Sequence, residues 1–320
     1  LSDAELSLGI AKEGLRQIPE ALQLYKRIVE EKNPTAAPRA MMRIGAIQFT
    51  AEQYKDAAAT YDELLAAFPT SGAVAAANLG AGQAWYRVKE FETALARFRA
   101  VPNESAGAGQ AILMTAMSLR HLGRVEESRQ QFAAALKSAG DSPLAADILF
   151  QQAQLERTTT DRELAAQIFE DIADRWPHSE HTTECLFDAA ELRLELNDIE
   201  RAERLFTRLS QEFPEAAQRP RERILLGRLL LERGQLEQAI ETLQQAVDTN
   251  KDPGDSVVAV GRYYLVRALF DSDRHDQVVQ QVSLMTEVFK SDSLDELRGA
   301  LGLAAISSLN LKQYENVLKF

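Results

Sequence analysis

Three stretches of the chain carry residue types whose spacing could support chemistry. His178, His181 and Cys185 offer two imidazoles and a thiol close together. Neutral imidazole and thiolate are good Zn²⁺ ligands, but a closed tetrahedral site needs four of them. Asp271-Ser272-Asp273-Arg274-His275-Asp276 alternates carboxylates as a calcium loop does. Such a loop also needs a central glycine and a closing bidentate glutamate, and the glutamate's place falls on Val282. Gly80-Ala81-Gly82 and Gly107-Ala108-Gly109 look like pieces of a phosphate cradle. A cradle requires a preceding strand and a third glycine or a Gly-Lys-Ser/Thr ending, and neither stretch has them. The sequence contains no Gly-x-Ser-x-Gly elbow, paired-histidine zinc helix or catalytic-cysteine context. The expectation is a non-enzymatic chain with no metal and no cofactor.

Charge narrows the partners. The net charge is −12 over 320 residues. Residues 1–160 carry 17 basic against 18 acidic side chains (−1), and residues 161–320 carry 19 against 30 (−11). An acidic surface is repelled by phosphate backbones and anionic lipid, which argues against nucleic-acid and membrane-surface partners. Leu64 to Tyr86 is uncharged and long enough to span a bilayer, yet Pro69-Thr70-Ser71-Gly72 interrupts it. It reads as two helix segments around a turn, so no membrane insertion is expected. Cys185 is the single cysteine, so no intrachain disulfide can form. The chain opens at Leu1 without methionine and is expected to be a trimmed one whose address segment is missing.

The elements that hold these residues are set by an internal repeat. A small residue is followed four positions on by an aromatic or aliphatic one, and three further on by another apolar one. The pattern reads Ala57-Tyr61-Leu64, Ala94-Phe98-Val101, Ala165-Phe169-Ile172, Ala202-Phe206-Leu209 and Ala239-Leu243-Ala246. Weaker copies are Ala21-Tyr25-Ile28, Ser128-Phe132-Ala135 and Val278-Val282-Met285, and another begins at Val317. Successive small positions are separated by 36, 37, 34, 37, 37, 37, 39 and 39 residues. Spacings of three and four place each triad on one helix face. An upstream helix in each unit carries Leu8-Gly9, Ile44-Gly45, Ala81-Gly82, Ala189-Ala190 or Leu226-Gly227. Glycine inside a helix costs about 1 kcal/mol relative to alanine, so its repeated use implies close helix approach. Phe68-Pro69, Trp176-Pro177 and Phe213-Pro214 should end the second helices, and the breaks at 121–124 and 232–235 should turn the chain within a unit.

These positions resemble the tetratricopeptide repeat: small at the eighth, alanine at the twentieth, aromatic at the twenty-fourth and proline near the thirty-second. The resemblance implies an all-α fold, an α-solenoid forming a right-handed superhelix of helix-turn-helix repeats. The expected organisation is a single solenoid with units at 2–37, 38–74, 75–108, 109–145, 146–182, 183–219, 220–258, 259–297 and a truncated 298–320. Tyr54-Lys55-Asp56-Ala57 through Ser71 is similar to a bacterial subgroup. It includes periplasmic scaffolds of the outer-membrane-assembly lipoprotein (BamD) and Tol–Pal-associated (CpoB/YbgF) kind, which implies a bacterial cell-envelope setting.

What the family implies for function is protein or peptide binding in a concave groove lined by the first helix of each repeat. Carrying its groove positions over selects Arg39, Met42, Phe49, Leu79, Gln83, Tyr86, Arg87, Gln110, Leu113, Met117, Arg120, Phe150, Gln154 and Arg157. Further along it selects Phe187, Glu191, Leu194, Arg228, Tyr263, Arg267 and Phe270. Arginine mixed with aromatic and methionine side chains is the composition enriched at interfaces. The arginines of the first set point to a partner segment with carboxylates docking in the N-terminal half. The family's Lys/Asn grip on a C-terminal carboxylate is missing, because those places hold Met42 and Ala46, Leu79 and Gln83, Leu113 and Met117. Two other arrangements compete: a self-assembling structural scaffold, and a regulatory or adaptor region of a longer protein. Self-association is raised by the ending at Phe320 inside an incomplete helix, where a repeat array needs a polar cap or a further partner.

Overall fold

The structure, a computed structural model, describes residues 2–159, 161–249, 252, 255–289 and 295–317. The expectation placed on Phe320 lies outside them. Among the described residues there are eighteen α-helices, one 3-10 turn and no strand. The fold is an all-α solenoid of helical hairpins, as the repeat implies.

Two compact units divide the chain, Leu1–Leu155 and Glu156–Phe320. The first holds α1 (Ser2–Gly14), α2 (Ile18–Glu30), α3 (Ala36–Thr50), α4 (Tyr54–Ala67), α5 (Val74–Arg87), α6 (Phe91–Arg99), α7 (Ala108–His121), α8 (Val125–Ala139) and most of α9 (Pro143–Arg157). The second begins with the last residues of α9. It continues through α10 (Arg162–Arg175), α11 (Thr182–Glu195), α12 (Ile199–Glu212), a 3-10 turn (Ala216–Gln218) and α13 (Pro220–Glu232). Then come α14 (Leu236–Thr249), α15 (Ser256–Asp271), α16 (His275–Val288), α17 (Asp295–Asn310) and α18 (Tyr314–Val317). The stretch from Leu64 to Tyr86 is indeed two helices, since α4 stops at Ala67 and α5 starts at Val74.

Consecutive helices pack on each other from α1 through α8 and from α10 through α18. Odd-numbered helices also touch each other, α1 with α3, α3 with α5 and α5 with α7, then α11 with α13, α13 with α15 and α15 with α17. No comparable contact joins the even-numbered helices among the described residues. In these hairpins the first helix therefore sits on the more closely filed layer.

Packing follows the triads. All eight complete ones are buried, from Ala21, Tyr25 and Ile28 through Val278, Val282 and Met285. Burying one aromatic or leucine contributes roughly 1.5–3 kcal/mol, so the second helices adhere through this face, although Val101 lies two residues past the end of α6. The upstream glycines make room for it. A Cβ on Gly9 would lie 2.5 Å from the Tyr25 ring, one on Gly45 2.6 Å from Tyr61, one on Gly82 2.5 Å from Phe98 and one on Gly227 2.4 Å from Leu243. Where the triad opens with serine, the Ser128 hydroxyl donates to the Ala116 carbonyl at 2.8 Å, so the buried polar group is satisfied.

Eight of the turns inside the hairpins share one geometry. Arg16, Glu52, Lys89, Gly123, Asn197, Gly234, Asp273 and Lys312 all have positive φ. At Glu52 its own N–H donates to Phe49 at 3.0 Å and that of Gln53 donates to Gln48 at 2.9 Å. The same pair of bonds recurs at each of these residues, a Schellman ending that satisfies the last carbonyls of the first helix. Among them Asp273 places the calcium-like stretch Asp271–Asp276 in an ordinary hairpin turn.

Candidate partner-binding face

In the first unit, the residues selected for the groove fall on α3, α5, α7 and α9. Met42, Phe49, Leu79, Gln83, Tyr86, Leu113, Met117, Arg120 and Gln154 are half-buried, while Arg39, Arg87 and Gln110 are exposed. Met42 and Phe49 rest against the core of Tyr61 and Leu64, and Leu79 and Tyr86 against that of Phe98. Leu113 and Met117 rest against that of Phe132. Phe150 does not belong to this surface: it is only 8% exposed, and its ring is part of the core. A register counted from repeats whose length varies cannot separate these two faces of a helix.

The arginines differ in what already engages them. The exposed Arg39 is 3.7 Å from Asp3. The Arg87 guanidinium lies 4.4 Å from the Tyr54 ring centroid and 6.0 Å from that of Phe49, and it bonds the Tyr54 hydroxyl. The two rings pack edge to face at 5.1 Å, which holds the cation in place. Arg120 donates to the Gln151 side-chain oxygen at 3.1 Å, and burial pushes its pKa down. Beside it, the His121 ring stacks on Phe91 at 4.4 Å and shares a 2.9 Å hydrogen bond with the Tyr86 hydroxyl. Burial, then Arg120 and Lys89, push the His121 pKa below its ordinary value, favouring the neutral ring.

Arg157 lies differently from its expected role. Its guanidinium already meets Asp188 at 2.9 Å and Glu191 at 2.6 Å, both on α11. It belongs to a network in the second unit that repeat counting did not reveal. Asp188 also accepts from Arg221 at 2.5 Å, and Glu191 from Arg228 at 3.4 Å. Arg221 lies 3.7 Å over the Phe187 ring, and Arg228 4.8 Å from that of Tyr264. Phe187 is 2% exposed and so supports the network from beneath instead of facing outward. Glu191, Leu194, Tyr263, Arg267 and Phe270 are half-buried on the same odd-numbered helices. Asp188 and Arg221 went unnoticed because their significance lies in reach between neighbouring repeats. The only signal was an acid and a basic residue 33 positions apart.

Most residues of the stretches first considered for chemistry sit at packing or turn positions. Cys185 is fully buried on α11, and burial pushes its thiol well up, so no thiolate is offered. His178 and His181 lie in the turn between α10 and α11. A Cβ on Gly80 would lie 2.8 Å from the Tyr61 ring, and one on Gly107 2.9 Å from Leu79, so both are close-approach positions. Gly109 has nothing nearer than 3.9 Å and is not one. No helix among the described residues is long and apolar enough to cross a membrane.

Comparison with known families agrees with this construction. A tetratricopeptide repeat model matches residues 6–72, 49–110 and 113–180, and a tetratricopeptide repeat-like domain model matches 177–307. No curated protein matches the chain. Among solved structures, a tetratricopeptide repeat protein from Parabacteroides merdae aligns over 81% of this chain and 98% of its own, with 15% identity and a TM-score of 0.56. PilW, a type IV pilus biogenesis factor, aligns over 72% of this chain and 100% of its own, with 15% identity and a TM-score of 0.55. PilF from Pseudomonas aeruginosa aligns over 72% and 96%, with 15% identity and a TM-score of 0.53. At these identities the likeness is one of fold.

Proposed function

This chain belongs to the tetratricopeptide repeat family, and from that premise we propose that it is a non-enzymatic scaffold that binds a partner protein or peptide along its first helices. One observation carries the reading. The second helices bury their small-aromatic-apolar triads almost completely, whereas the first helices keep Met42, Phe49, Leu79, Tyr86, Leu113 and Met117 half-exposed beside arginines. A helix layer that retains large apolar and cationic side chains after packing has the composition of an interface. Arg87, steadied on Tyr54 and Phe49, supplies a fixed cation at little entropic cost on binding.

The similarity of the segment from Tyr54 to Ser71 to periplasmic scaffolds makes a bacterial envelope extract the place to search. Affinity capture with wild type and with an Arg87→Glu/Arg120→Glu double variant tests the reading. The expected result is a partner held by wild type and lost, by about tenfold or more, by the variant with unchanged helicity. Equal capture by both would remove the first unit's odd-numbered helices from recognition. No capture, with mass rising on concentration in light scattering, would favour a self-assembling scaffold.

A further inference from the structure

We propose that a cleft on α11, α13 and α15 of the second unit receives the side-chain carboxylate of an aspartate or glutamate on a bound peptide, a reading that rests on the scaffold function above. The cleft has a volume of about 200 Å³ and draws its lining from odd-numbered helices and the end of α9. The aliphatic side chains of Ile224, Val257 and Val260 line it beside Arg157, Arg221, Arg228 and Glu191.

The arginine heads are placed by the chain's own acids. Asp188, with a fully buried side chain, bridges Arg157 and Arg221, and Glu191 bridges Arg157 and Arg228. Three cations against two anions leave a positive surplus. This surplus sits in a unit whose residues 156–320 carry 20 basic and 31 acidic side chains, for −11. The neighbouring Glu222 carboxyl faces Arg219 at 4.0 Å, an arginine outside the cleft, so the surplus among the three lining arginines stands. Arg228 carries five N–H donors in a planar fork and makes one long 3.4 Å contact with Glu191 while resting on Tyr264. An entering carboxylate can therefore take a paired set of N–H bonds without dismantling the network.

The chemistry selects the occupant. A nucleic acid or other polyanion would meet the unit's net −11 as repulsion, while a single carboxylate meets only the local surplus. A C-terminal carboxylate would also present its backbone amide, for which the cleft offers Ser256 alone among uncharged polar side chains. The aliphatic lining suits a Val, Ile or Leu neighbour of the acid.

The test uses the full chain and two pools of random peptides, one acetylated and C-amidated, the other with free C-termini but without Asp or Glu. Peptides retained by immobilised wild type are sequenced, and the consensus is titrated against wild type, Arg221→Gln and Arg228→Gln, each checked for helicity and melting. The expected result is an acid beside an aliphatic residue, enriched from the amidated pool. The consensus should lose about tenfold in affinity on Arg228→Gln, and equally on Glu→Gln in the peptide with wild type, which stands even if a protein variant fails to fold. A consensus without an acid, or one indifferent to both arginines, overturns the carboxylate site and leaves the scaffold reading intact. Retention confined to the second pool overturns the choice of a side-chain carboxylate. Retention from neither pool overturns this proposal together with peptide recognition by the scaffold.

Discussion

Gly82 and the Phe98 ring show how one residue sets the spacing of two helices. A Cβ at Gly82 would stand 2.5 Å from the ring, which is itself buried at 2% exposure. Gly82→Leu should therefore force α5 and α6 apart, at a cost of about 1–3 kcal/mol or more, visible as a lower melting temperature. An unchanged melting curve would mean that the ring does not sit there. Glu222 presents the opposite case, a buried carboxyl with an unsatisfied Oε2. Burial raises its folded-state pKa above the ordinary 4.5, so its protonated form is the one the fold prefers. Stability from this group is fully present below that ordinary value and is lost as pH rises through the folded value. Glu222→Gln should thus stabilise on the order of 1 kcal/mol at neutral pH, with the difference vanishing in acid. Denaturant titrations at both pH values check this, and a variant less stable than wild type at neutral pH would contradict it.

At the level of the element, the hairpin turn is the unit that repeats most faithfully. Gly234 holds the left-handed position with φ 69° and nothing within 4 Å of where its Cβ would be. Gly234→Ala should cost about 1 kcal/mol through backbone strain alone, with no lost contact to confuse the measurement. A neutral effect on the denaturation midpoint would argue against this turn geometry. The hairpins were legible in the sequence because each triad and each turn is a local pattern with a helical period. Ala57, Tyr61 and Leu64 state their buried face in their spacing, and Phe68-Pro69 states where α4 ends. The candidate face was legible only in part, because exposure depends on how the neighbouring hairpin lies. Phe150 has the same spacing as its half-exposed counterparts and is buried. Arg193 offered no signal of its own, yet it is 1% exposed and bonded to Glu163 and Glu170 of the preceding helix. Asp188 and Arg221 likewise acquire meaning only when α11 and α13 are set side by side.

For the whole molecule, two properties matter. Stability accumulates through contacts between consecutive helices, so damage to one hairpin is felt first by its neighbours. Recognition is proposed for the odd-numbered helices of each unit by itself, and each unit holds arginine over an aromatic ring there. Which helices touch the partner is therefore the deciding fact. The most direct measurement places a photoreactive side chain at Met117 and at Val260 on odd-numbered helices, and at the exposed Lys55 and Gln130 on even-numbered ones. Each variant is irradiated with the partner that wild type captures. The expected result is covalent adducts at Met117 or Val260 and none at Lys55 or Gln130. Adducts confined to Lys55 and Gln130 would contradict it and move recognition to the opposite layer.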